Sequence, residues 1–542
     1  MTERLALRVV RELAARGVRE FCVCPGARNA PLLAAIDREP AFRVFRFIEE
    51  RSAAFFGLGR IKATGEPVAV VTTSGTAAAE LLPATMEAYY EALPLVLVTA
   101  DRPRRLRGTG APQSPVQPGL YGMHVEESLD VEGEERPVLA GWSLARPIHV
   151  NVCFEEPVDS DRPRPADPPL DPPPEVASRS PDGGGSADAV LEFLATVRRP
   201  LVLVGPLGAK DRDGVLAFLE RLGAPAWLEA PSGLRETPRL DRLRVLAPGK
   251  ILERAASRGY VVDGVLRIGA VPTIRLFRDL EELGGRVPVL SVAREPFPGL
   301  SHGRIEVASP GRLLAALPTP GVPGGAAAGF LDADRALRAR IEVLLESEPR
   351  SEPALVRALS ARIPAGSLAY LGNSLPVREW DLAATFEERG LRIEVSRGMN
   401  GIDGQVSTFL GLAAGGARGE PADRDSLALL GDLTALYDLA APWVLRGLVP
   451  TPRATIAVLN NGGGRIFARM FRDRAMQSAH ALSFRPWADL WGLPYERWDE
   501  IPPDVAGSPG PRVVEIVPDG AATARFWSGY DALAVEQAEE GA

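Results

Sequence analysis

The sequence is short of cysteine. Its 542 residues include three cysteines, at positions 22, 24 and 153, which cannot build a disulfide framework. Cys22 and Cys24 flank Val23 in an apolar run, and no other cysteine or histidine lies nearby in the sequence. This arrangement favours a buried strand over a metal-binding pair of thiols.

The sequence also lacks an excess of positive charge and a long apolar run. The formal net charge of −8 argues against a nucleic-acid partner, although it leaves room for a local cluster of arginines around an acidic substrate. Apolar runs such as residues 93–100 are far too short to span a membrane, so no membrane insertion is predicted. The segment MTERLALRVVRELAARG predicts a charged amphipathic helix and not a signal peptide, which makes the cytoplasm the predicted location.

The pattern of secondary structure predicts an α/β protein of three domains. A chain of this length exceeds one hydrophobic core, and its 46% apolar and 24% charged residues are typical of globular proteins. Helical patterns alternate with short β-rich runs, as in helix Glu3–Arg16 and strands Glu20–Cys24 and Val68–Val71. This rhythm predicts doubly wound parallel sheets. Connectors rich in proline and glycine at 155–185 and 318–329 separate predicted domains at 1–185, 186–330 and 331–542.

Two strand ends in the third domain carry residue types suited to a metal ion. The strand Leu427–Leu430 precedes Gly431-Asp432, and a predicted helix at Tyr437–Arg446 leads to strand Thr455–Leu459 and then to NNGGG at 460–464. If the two strands are parallel neighbours, Asp432 and Asn461 meet at the carboxyl edge of the sheet. A carboxylate, an amide oxygen and a glycine carbonyl suit Mg²⁺ that shares its shell with a phosphate. The alternative is that both segments are ordinary turns.

The pairing of Gly431-Asp432 with Asn460-Asn461 resembles the cofactor-binding motif of the thiamine-diphosphate decarboxylase superfamily. In that family the aspartate, the second asparagine and the carbonyl two residues later ligate magnesium. The resemblance therefore implies thiamine diphosphate with Mg²⁺ or Mn²⁺, held by Asp432, Asn461 and the backbone of Gly463. Leu433 stands where many members have a further glycine, and this variant reduces the number of subfamilies that the chain can resemble.

The resemblance extends along nearly the whole chain to one subfamily, the 2-succinyl-5-enolpyruvyl-6-hydroxy-3-cyclohexene-1-carboxylate (SEPHCHC) synthases of menaquinone biosynthesis (MenD). It rests on ordered blocks that include CVCPGARNAPLLAAI, EERSAAFFGLGRIKATGEP, PLVLVTADRP, GNSLPVRE, SRGMNGIDGQVST, GDLTALYDLAA and NNGGGRIF. The middle domain matches least. The implied fold is the three-domain thiamine-diphosphate decarboxylase type, with a pyrimidine-binding domain (1–185), a central domain (186–330) and a diphosphate-binding domain (331–542).

The family match also assigns contacts to the cofactor. A glutamate against the aminopyrimidine ring maps to Glu50, with Glu49 as the alternative, and the aliphatic side chain that holds the cofactor bent maps to Ile402. None of the four histidines lies in a block that the family uses for chemistry, so a His-centred mechanism is not expected. The remaining predicted cofactor contacts are Ser374, Gly431, Leu433, Thr434, Gly464, Ile466 and Phe467.

The family's substrates, 2-oxoglutarate and isochorismate, are dicarboxylates, which arginine forks bind well. Ala27 and Pro112 stand where the family usually has serine and asparagine, and Tyr437 replaces a usual histidine. These departures do not affect the predicted cofactor glutamate, Glu50, or the predicted metal ligand, Asp432. They concern positions that contact the substrate and can therefore alter substrate preference. The matched substrate-binding positions are Arg28, Arg102, Gln113, Arg275, Ser374, Arg378 and Arg397, of which Arg275 is the one most easily read as a surface ion-pair residue.

The resemblance implies decarboxylation of 2-oxoglutarate and addition of the resulting succinyl carbanion to isochorismate, which gives SEPHCHC and CO₂. It also implies a homodimer or tetramer, with Glu50 and the metal site contributed by different subunits. Three alternatives stay open. One is a related enzyme such as acetolactate synthase or a simple 2-oxo-acid decarboxylase, and another is a non-catalytic homologue. The weakest is a Rossmann NAD enzyme, since no GxGxxG opens any domain.

Overall fold

The computed structural model describes residues 2–155, 185–318, 321–323, 325–415, 424–469, 471, 473–507 and 509–539. The predicted connector at 155–185 lies outside the described residues apart from its two ends. The second predicted connector lies partly outside them, at 319, 320 and 324.

The first sheet is built from the N-terminal part of the chain. In its described residues six parallel strands lie in the order β2-β1-β3-β4-β6-β5. The central strands are apolar and fully buried, as expected where helices cover both faces. The strands are β1 (Glu20–Val23), β2 (Arg43–Arg46), β3 (Val68–Thr72), β4 (Leu95–Asp101), β5 (Ser128–Glu132) and β6 (Ile148–Cys153). The helices are α1 (Thr2–Ala15), α2 (Ala30–Asp37), α3 (Glu50–Thr64), α4 (Thr76–Ala79) and α5 (Leu82–Tyr90).

The second sheet follows the first connector. Within the part of the chain that the structure describes, it has five parallel strands in the order β11-β10-β9-β7-β8. The strands are β7 (Pro200–Val204), β8 (Ala226–Leu228), β9 (Gly264–Ile268), β10 (Val289–Ala293) and β11 (Arg304–Val307). The helices are α6 (Ala187–Thr196), α7 (Ala209–Leu222), α8 (Ile251–Ser257), α9 (Arg275–Glu282) and α10 (Pro310–Ala315).

The third sheet repeats the connectivity of the first. Its six parallel strands, counted over the described residues, lie in the order β13-β12-β14-β15-β17-β16. The strands are β12 (Leu368–Leu371), β13 (Arg392–Glu394), β14 (Ser426–Gly431), β15 (Ala454–Leu459), β16 (Tyr495–Trp498) and β17 (Arg512–Ile516). The helices are α11 (Ala328–Ser347), α12 (Glu352–Arg362), α13 (Leu375–Ala383), α14 (Gln405–Ala413), α15 (Asp432–Tyr437), α16 (Arg485–Trp491) and α17 (Gly520–Glu539). Three parallel α/β sheets confirm the predicted fold class.

One predicted helix is wrong. The sequence pattern predicted an α-helix at Tyr437–Arg446, whereas α15 starts at Asp432 and ends at Tyr437 and a 3₁₀ helix spans Ala441–Gly447. Pro442 explains the difference, because it lacks an N–H and its ring would clash with the carbonyl four residues earlier in an α-helix. The other short 3₁₀ segments are Arg104–Leu106, Gly122–His124, Ala230–Ser232, Pro238–Leu240, Arg465–Arg469 and Arg474–Gln477.

Contacts between residues divide the chain into two compact units. The first unit contains the described residues within 1–180, 398–423 and 434–453, and the second contains those within 181–397, 424–433 and 454–542. The first sheet therefore lies in the first unit, and the other two sheets lie in the second. The predicted domain boundaries follow the sheets and stay a prediction. Over the described residues, no helix combines the length and the apolar character that a membrane span requires.

Candidate functional site

Asp432 lies in the second unit, directly after the buried strand β14, and is 2% exposed. Its Oδ2 accepts hydrogen bonds from the backbone N–H groups of Gly462 and Gly463, both at 2.9 Å, and its Oδ1 accepts one from Leu433 N at 2.7 Å. Burial raises the pKa of the Asp432 carboxyl, while these backbone donors favour its charged form. Because β14 and β15 are adjacent and parallel, the two predicted strand ends do meet at one sheet edge.

Asn461 presents an unused oxygen at the same edge. Its Nδ2 donates to the Glu352 carboxylate, at 2.8 Å to Oε1 and 3.1 Å to Oε2. Its Oδ1 is buried and has no hydrogen-bond partner among the described residues. A buried amide oxygen without a partner costs free energy of about 1–3 kcal/mol, so this atom is suited to an additional ligand such as a cation.

The glycines after Asn461 allow a tight backbone path. Gly463 has a φ of +129°, and a Cβ built there would lie 2.6 Å from the carbonyl oxygen of Gln477. Any side chain at this position would therefore be both strained and blocked. The Gly463 carbonyl accepts a hydrogen bond from Arg465 N at 2.8 Å and keeps a second lone pair. Acid, amide oxygen and carbonyl together fit a hard divalent cation that shares its shell with a diphosphate.

Two buried glutamates lie behind Asn461, and sequence reasoning missed both. Glu352 and Glu379 are each 1% exposed. Burial raises the pKa of Glu352 to about 7, and burial together with the neighbouring Glu352 charge raises the pKa of Glu379 well above its usual value. The Ser351-Glu352-Pro353 segment indicates a helix start, but no local pattern reveals that Glu352 reaches a residue 109 positions away.

His480 is a second group that the sequence did not reveal. Its Nε2 lies 3.3 Å from Asp432 Oδ2, and its Nδ1 accepts a hydrogen bond from Leu482 N at 3.2 Å. Its backbone N–H donates to Gly462 O at 3.1 Å, so the segment around residue 480 packs on the glycine loop. Among the described residues, the histidine that borders the candidate metal site thus comes from a segment outside every motif used above.

Arg397, a predicted substrate contact, is buried and held on two sides in the second unit. Its Nη1 donates to Asn373 Oδ1 at 2.9 Å, and its Nη2 lies 3.5 Å from Glu229 Oε1. Glu229 also accepts from the backbone and hydroxyl of Thr273, two residues before Arg275. Glu229 is therefore a further residue that the sequence analysis missed.

The other predicted contacts of the second unit are placed as follows. Ser374 has a φ of +72° and precedes α13, and Arg378 is exposed on that helix. Arg275 is exposed and pairs with Asp279 at 3.2 Å, which matches the surface ion-pair interpretation. Gly431 ends β14 and Leu433 follows Asp432, whereas Gly464, Ile466 and Phe467 lie on or just before the 3₁₀ helix Arg465–Arg469.

The first unit holds Glu50 at the start of α3. Glu49 is the N-cap of this helix, because its carboxylate accepts from Arg51 N at 3.1 Å and Ser52 N at 2.8 Å as well as from the Ser52 hydroxyl. Glu50 is half-buried, and burial raises its pKa. Both glutamates line a cavity, and the structure gives Glu49 the additional task of capping α3.

This cavity has a volume of about 700 Å³ and lies within the first unit. That volume falls in the range of small-molecule sites. Gln113, a predicted substrate contact, lies on the wall together with Glu50 and the exposed Tyr437. The full lining is Glu49, Glu50, Arg51, Thr73, Ser74, Thr76, Ala77, Glu80, Gln113, Leu436, Tyr437, Leu439 and Ala440.

Four more predicted residues lie in the first unit. Arg28 is buried and donates to Phe154 O at 3.2 Å, just beyond the end of β6, and Arg102 follows the end of β4. Thr434 is buried on α15. Ile402 lies on a loop whose Gly398 and Met399 N–H groups donate to the Glu87 carboxylate, at 2.9 and 2.7 Å. Burial and the charge of Glu91 raise the pKa of Glu87 to about 7.

The buried cysteines agree with the strand interpretation. Cys22 and Cys24 are 0% and 2% exposed, and burial raises the pKa of both thiols. Over the described residues, no group of three or more His, Cys, Asp or Glu side chains is arranged to hold a metal ion. The candidate metal site differs in kind, since it combines one carboxylate with an amide oxygen and a backbone carbonyl.

Known proteins resemble this chain in sequence and in fold. Residues 4–120 match the family described as "Thiamine pyrophosphate enzyme, N-terminal TPP binding domain". A solved structure from Mycobacterium smegmatis, whose description names thiamin diphosphate, has a TM-score of 0.68 at 17% identity and covers 95% of this chain and 99% of its own. At that identity the likeness concerns the fold alone, and it agrees with three α/β sheets.

Curated relatives share more sequence. The 2-succinyl-5-enolpyruvyl-6-hydroxy-3-cyclohexene-1-carboxylate synthase of Bdellovibrio bacteriovorus is 40% identical over 98% of both chains. The synthases of Akkermansia muciniphila and Chloroflexus aurantiacus are 38% and 35% identical, over 93% and 90% of this chain and 94% and 88% of their own. Such identity over nearly full length confirms the resemblance seen in the sequence, and the chain belongs to the family of 2-succinyl-5-enolpyruvyl-6-hydroxy-3-cyclohexene-1-carboxylate synthases.

Proposed function

We propose that the protein uses thiamine diphosphate and a divalent cation to decarboxylate 2-oxoglutarate and to add the succinyl unit to isochorismate, which yields SEPHCHC and CO₂. The observation that carries this proposal is the sheet edge where Asp432 lies beside the glycine loop and Asn461 Oδ1 has no hydrogen-bond partner among the described residues. Membership of the synthase family supports the reaction, and the donor atoms at this edge support binding of the cofactor's diphosphate there.

In the proposed site Asp432, Asn461 and the Gly463 carbonyl hold Mg²⁺ or Mn²⁺. Asp432 is fixed by backbone donors, so its carboxylate does not need to reorganise when the ion binds. The thiamine cofactor, when bound, supplies the carbon nucleophile and the electron sink for decarboxylation. The chain's task at this edge is to fix the cofactor's diphosphate and to neutralise its charge through the ion.

Glu50 is the residue proposed to exchange a proton with the cofactor's ring. It lines the cavity of the first unit, and the raised pKa means that its carboxyl holds a proton to a higher pH than an exposed glutamate does. Glu49 is engaged in capping α3 and is not assigned this role.

Arginines are proposed to bind the substrate carboxylates. Arg397 is pre-positioned by Asn373 and Glu229, so its guanidinium loses little conformational entropy when it binds an anion. Arg28 and Arg102 are proposed for the same chemistry in the first unit. Arg275, paired with Asp279 on the surface, has the weakest structural support.

A homodimer or tetramer is also proposed, with each cofactor held between subunits. Exposed apolar side chains of the first unit support it, since Ile48, Val116, Met123 and Leu439 are 58%, 63%, 67% and 41% exposed. Two of them lie close in sequence to the residues of the Glu50 cavity, and Leu439 lines it. Exposed apolar side chains that lie together on a surface are typical of interaction sites. The predicted cytoplasmic location stays a prediction.

The test is to supply 2-oxoglutarate with Mg²⁺ and thiamine diphosphate, with and without isochorismate, and to follow CO₂ and the ring product. We expect both to form in equal amounts when isochorismate is present. Release of CO₂ from pyruvate at a higher rate than from 2-oxoglutarate would favour the acetolactate-synthase-like alternative. Absence of turnover with every 2-oxo acid, in protein shown to bind the cofactor, would favour the non-catalytic homologue.

A further inference from the structure

Glu352 makes a two-point contact with the amide of Asn461. The Nδ2 group donates to both carboxylate oxygens, at 2.8 Å and 3.1 Å. In its ionised form the Glu352 carboxylate offers acceptors only, whereas the asparagine amide has one donor side and one acceptor side. The contact therefore selects one of the two amide orientations, the one that turns Oδ1 away from Glu352.

The oxygen turned away is the unpartnered one. Asn461 Oδ1 is buried without a hydrogen-bond partner among the described residues, close to the Asp432 loop. With the opposite orientation, the NH₂ group would occupy the place of Oδ1 and would repel a cation. One contact thus decides whether the amide can serve as a metal ligand.

Glu352 is itself held firmly. It is the first residue of α12, its N–H donates to Thr523 Oγ1 at 3.0 Å, and the preceding Ser351 caps the helix by accepting from Ala354 N at 3.4 Å. The next residue is Pro353, whose fixed φ stiffens this first turn. A carboxylate on such a rigid helix start can set the orientation of a neighbouring side chain.

We propose that Glu352 is a positioning residue that orients Asn461 so that its amide oxygen faces the divalent cation. The inference rests on the proposed function, because it takes Asn461 as a metal ligand. Supporting partners of metal ligands typically contribute about 10–100-fold to metal affinity. Glu352 does not touch the ion or the substrate in this account, and it acts only through Asn461.

The experiment compares Mn²⁺ binding by wild type and Glu352→Gln at saturating thiamine diphosphate, with free Mn²⁺ read by electron paramagnetic resonance. Glutamine has nearly the same size but offers both a donor and an acceptor, so it permits either orientation of Asn461. We expect Mn²⁺ affinity to fall about 10–100-fold. Glu346→Gln, an exposed change on α11, is the matched control and should bind as wild type does.

Two further measurements separate positioning from a structural role. Thermal unfolding in chelator should place Glu352→Gln close to wild type, because the proposed role concerns the bound ion. In an Asn461→Ala background, Glu352→Gln should cause no further loss of Mn²⁺ affinity, since its effect passes through the missing amide. A variant that loses the same factor in both backgrounds would overturn the inference.

The outcomes distinguish this inference from the proposed function. Wild-type protein that binds no Mn²⁺ with the cofactor would overturn both. Wild-type protein that binds Mn²⁺, with unchanged affinity in Glu352→Gln, would overturn the positioning role alone. If Glu352→Gln does not fold, Glu352→Asp serves instead, because it keeps the charge but withdraws it by one methylene and should weaken Mn²⁺ binding in the same way.

Discussion

The candidate groups of the two units are built in different ways. In the second unit, Asp432 is 2% exposed, three backbone N–H groups fix it, and a glycine loop packs against it. In the first unit, Glu50 lies half-buried on the wall of a cavity of about 700 Å³. A group that anchors a cation is best held in one state, whereas a group that exchanges a proton needs room and access to its partner.

The largest expected effect concerns Glu50 in the first unit, where a substitution should lower the catalytic rate and leave cofactor affinity nearly unchanged. Glu50→Gln should reduce the rate of CO₂ release from 2-oxoglutarate by about 10²–10⁴-fold, because a positioned proton-transfer group contributes that much. Thiamine diphosphate affinity, measured by calorimetry with Mg²⁺, should change far less. An equal loss in both quantities would contradict the proposed difference between Glu50 and the metal-binding residues of the second unit.

The corresponding change in the second unit should act on binding. Asp432→Asn removes the charge of the proposed ligand. Mn²⁺ affinity in the presence of thiamine diphosphate should fall by about 100-fold or more, because the loss of a residue that only orients a ligand already costs up to about 100-fold. The amide oxygen can still accept from Gly462 and Gly463, whereas the hydrogen bond from Leu433 N is lost, so the free energy of unfolding in chelator should fall by about 1–3 kcal/mol at most. Retained Mn²⁺ affinity would show that this edge does not hold the metal.

A smaller effect tests whether Glu49 caps α3 while the neighbouring Glu50 serves in catalysis. Glu49→Ala removes the N-cap of α3 and should lower the free energy of unfolding by about 1 kcal/mol. Catalytic turnover of the folded variant should remain near wild type. Denaturant unfolding, with the exposed Glu66→Ala as control, gives the comparison. A large loss of turnover without a loss of stability would exchange the roles of Glu49 and Glu50.

The smallest expected effect is a change in the pH dependence of stability, and it concerns Glu379 in the second unit. Burial raises the pKa of Glu379 above its ordinary value of 4.5, so the folded protein binds more protons there than the unfolded chain does. The stability that this group contributes is complete below pH 4.5 and is lost as pH rises toward the folded pKa. Glu379→Gln should lose less stability than wild type between pH 5 and pH 9. Parallel melting-temperature profiles would contradict this account.

The sequence predicted the strand ends better than it predicted what surrounds them. Asp432 and Asn461 could be paired because a strand pattern followed by glycine and polar residues is local information, and parallel strands end at one edge. The helix expected at Tyr437–Arg446 failed because the periodicity continued across Pro442, where the backbone cannot. The local sequence pattern therefore predicted where strands end more reliably than it predicted how far a helix extends.

Residues that act through tertiary contact could not be predicted. Glu352 reaches Asn461 across 109 positions, and His480 approaches Asp432 from a segment without a motif. Glu49 and Glu50 are adjacent and chemically identical, and the hydrogen bonds to Arg51 N and Ser52 N separate their tasks. Such assignments depend on the folded geometry, which neither composition nor periodicity contains.

The most direct test of the central claim is a calorimetric titration of the wild-type protein with thiamine diphosphate, with and without Mg²⁺. The account predicts binding of one cofactor per chain in the presence of Mg²⁺ and much weaker binding in chelator, because the ion joins the diphosphate to Asp432 and Asn461. Equal affinity with and without the metal, or no binding under either condition, would contradict it.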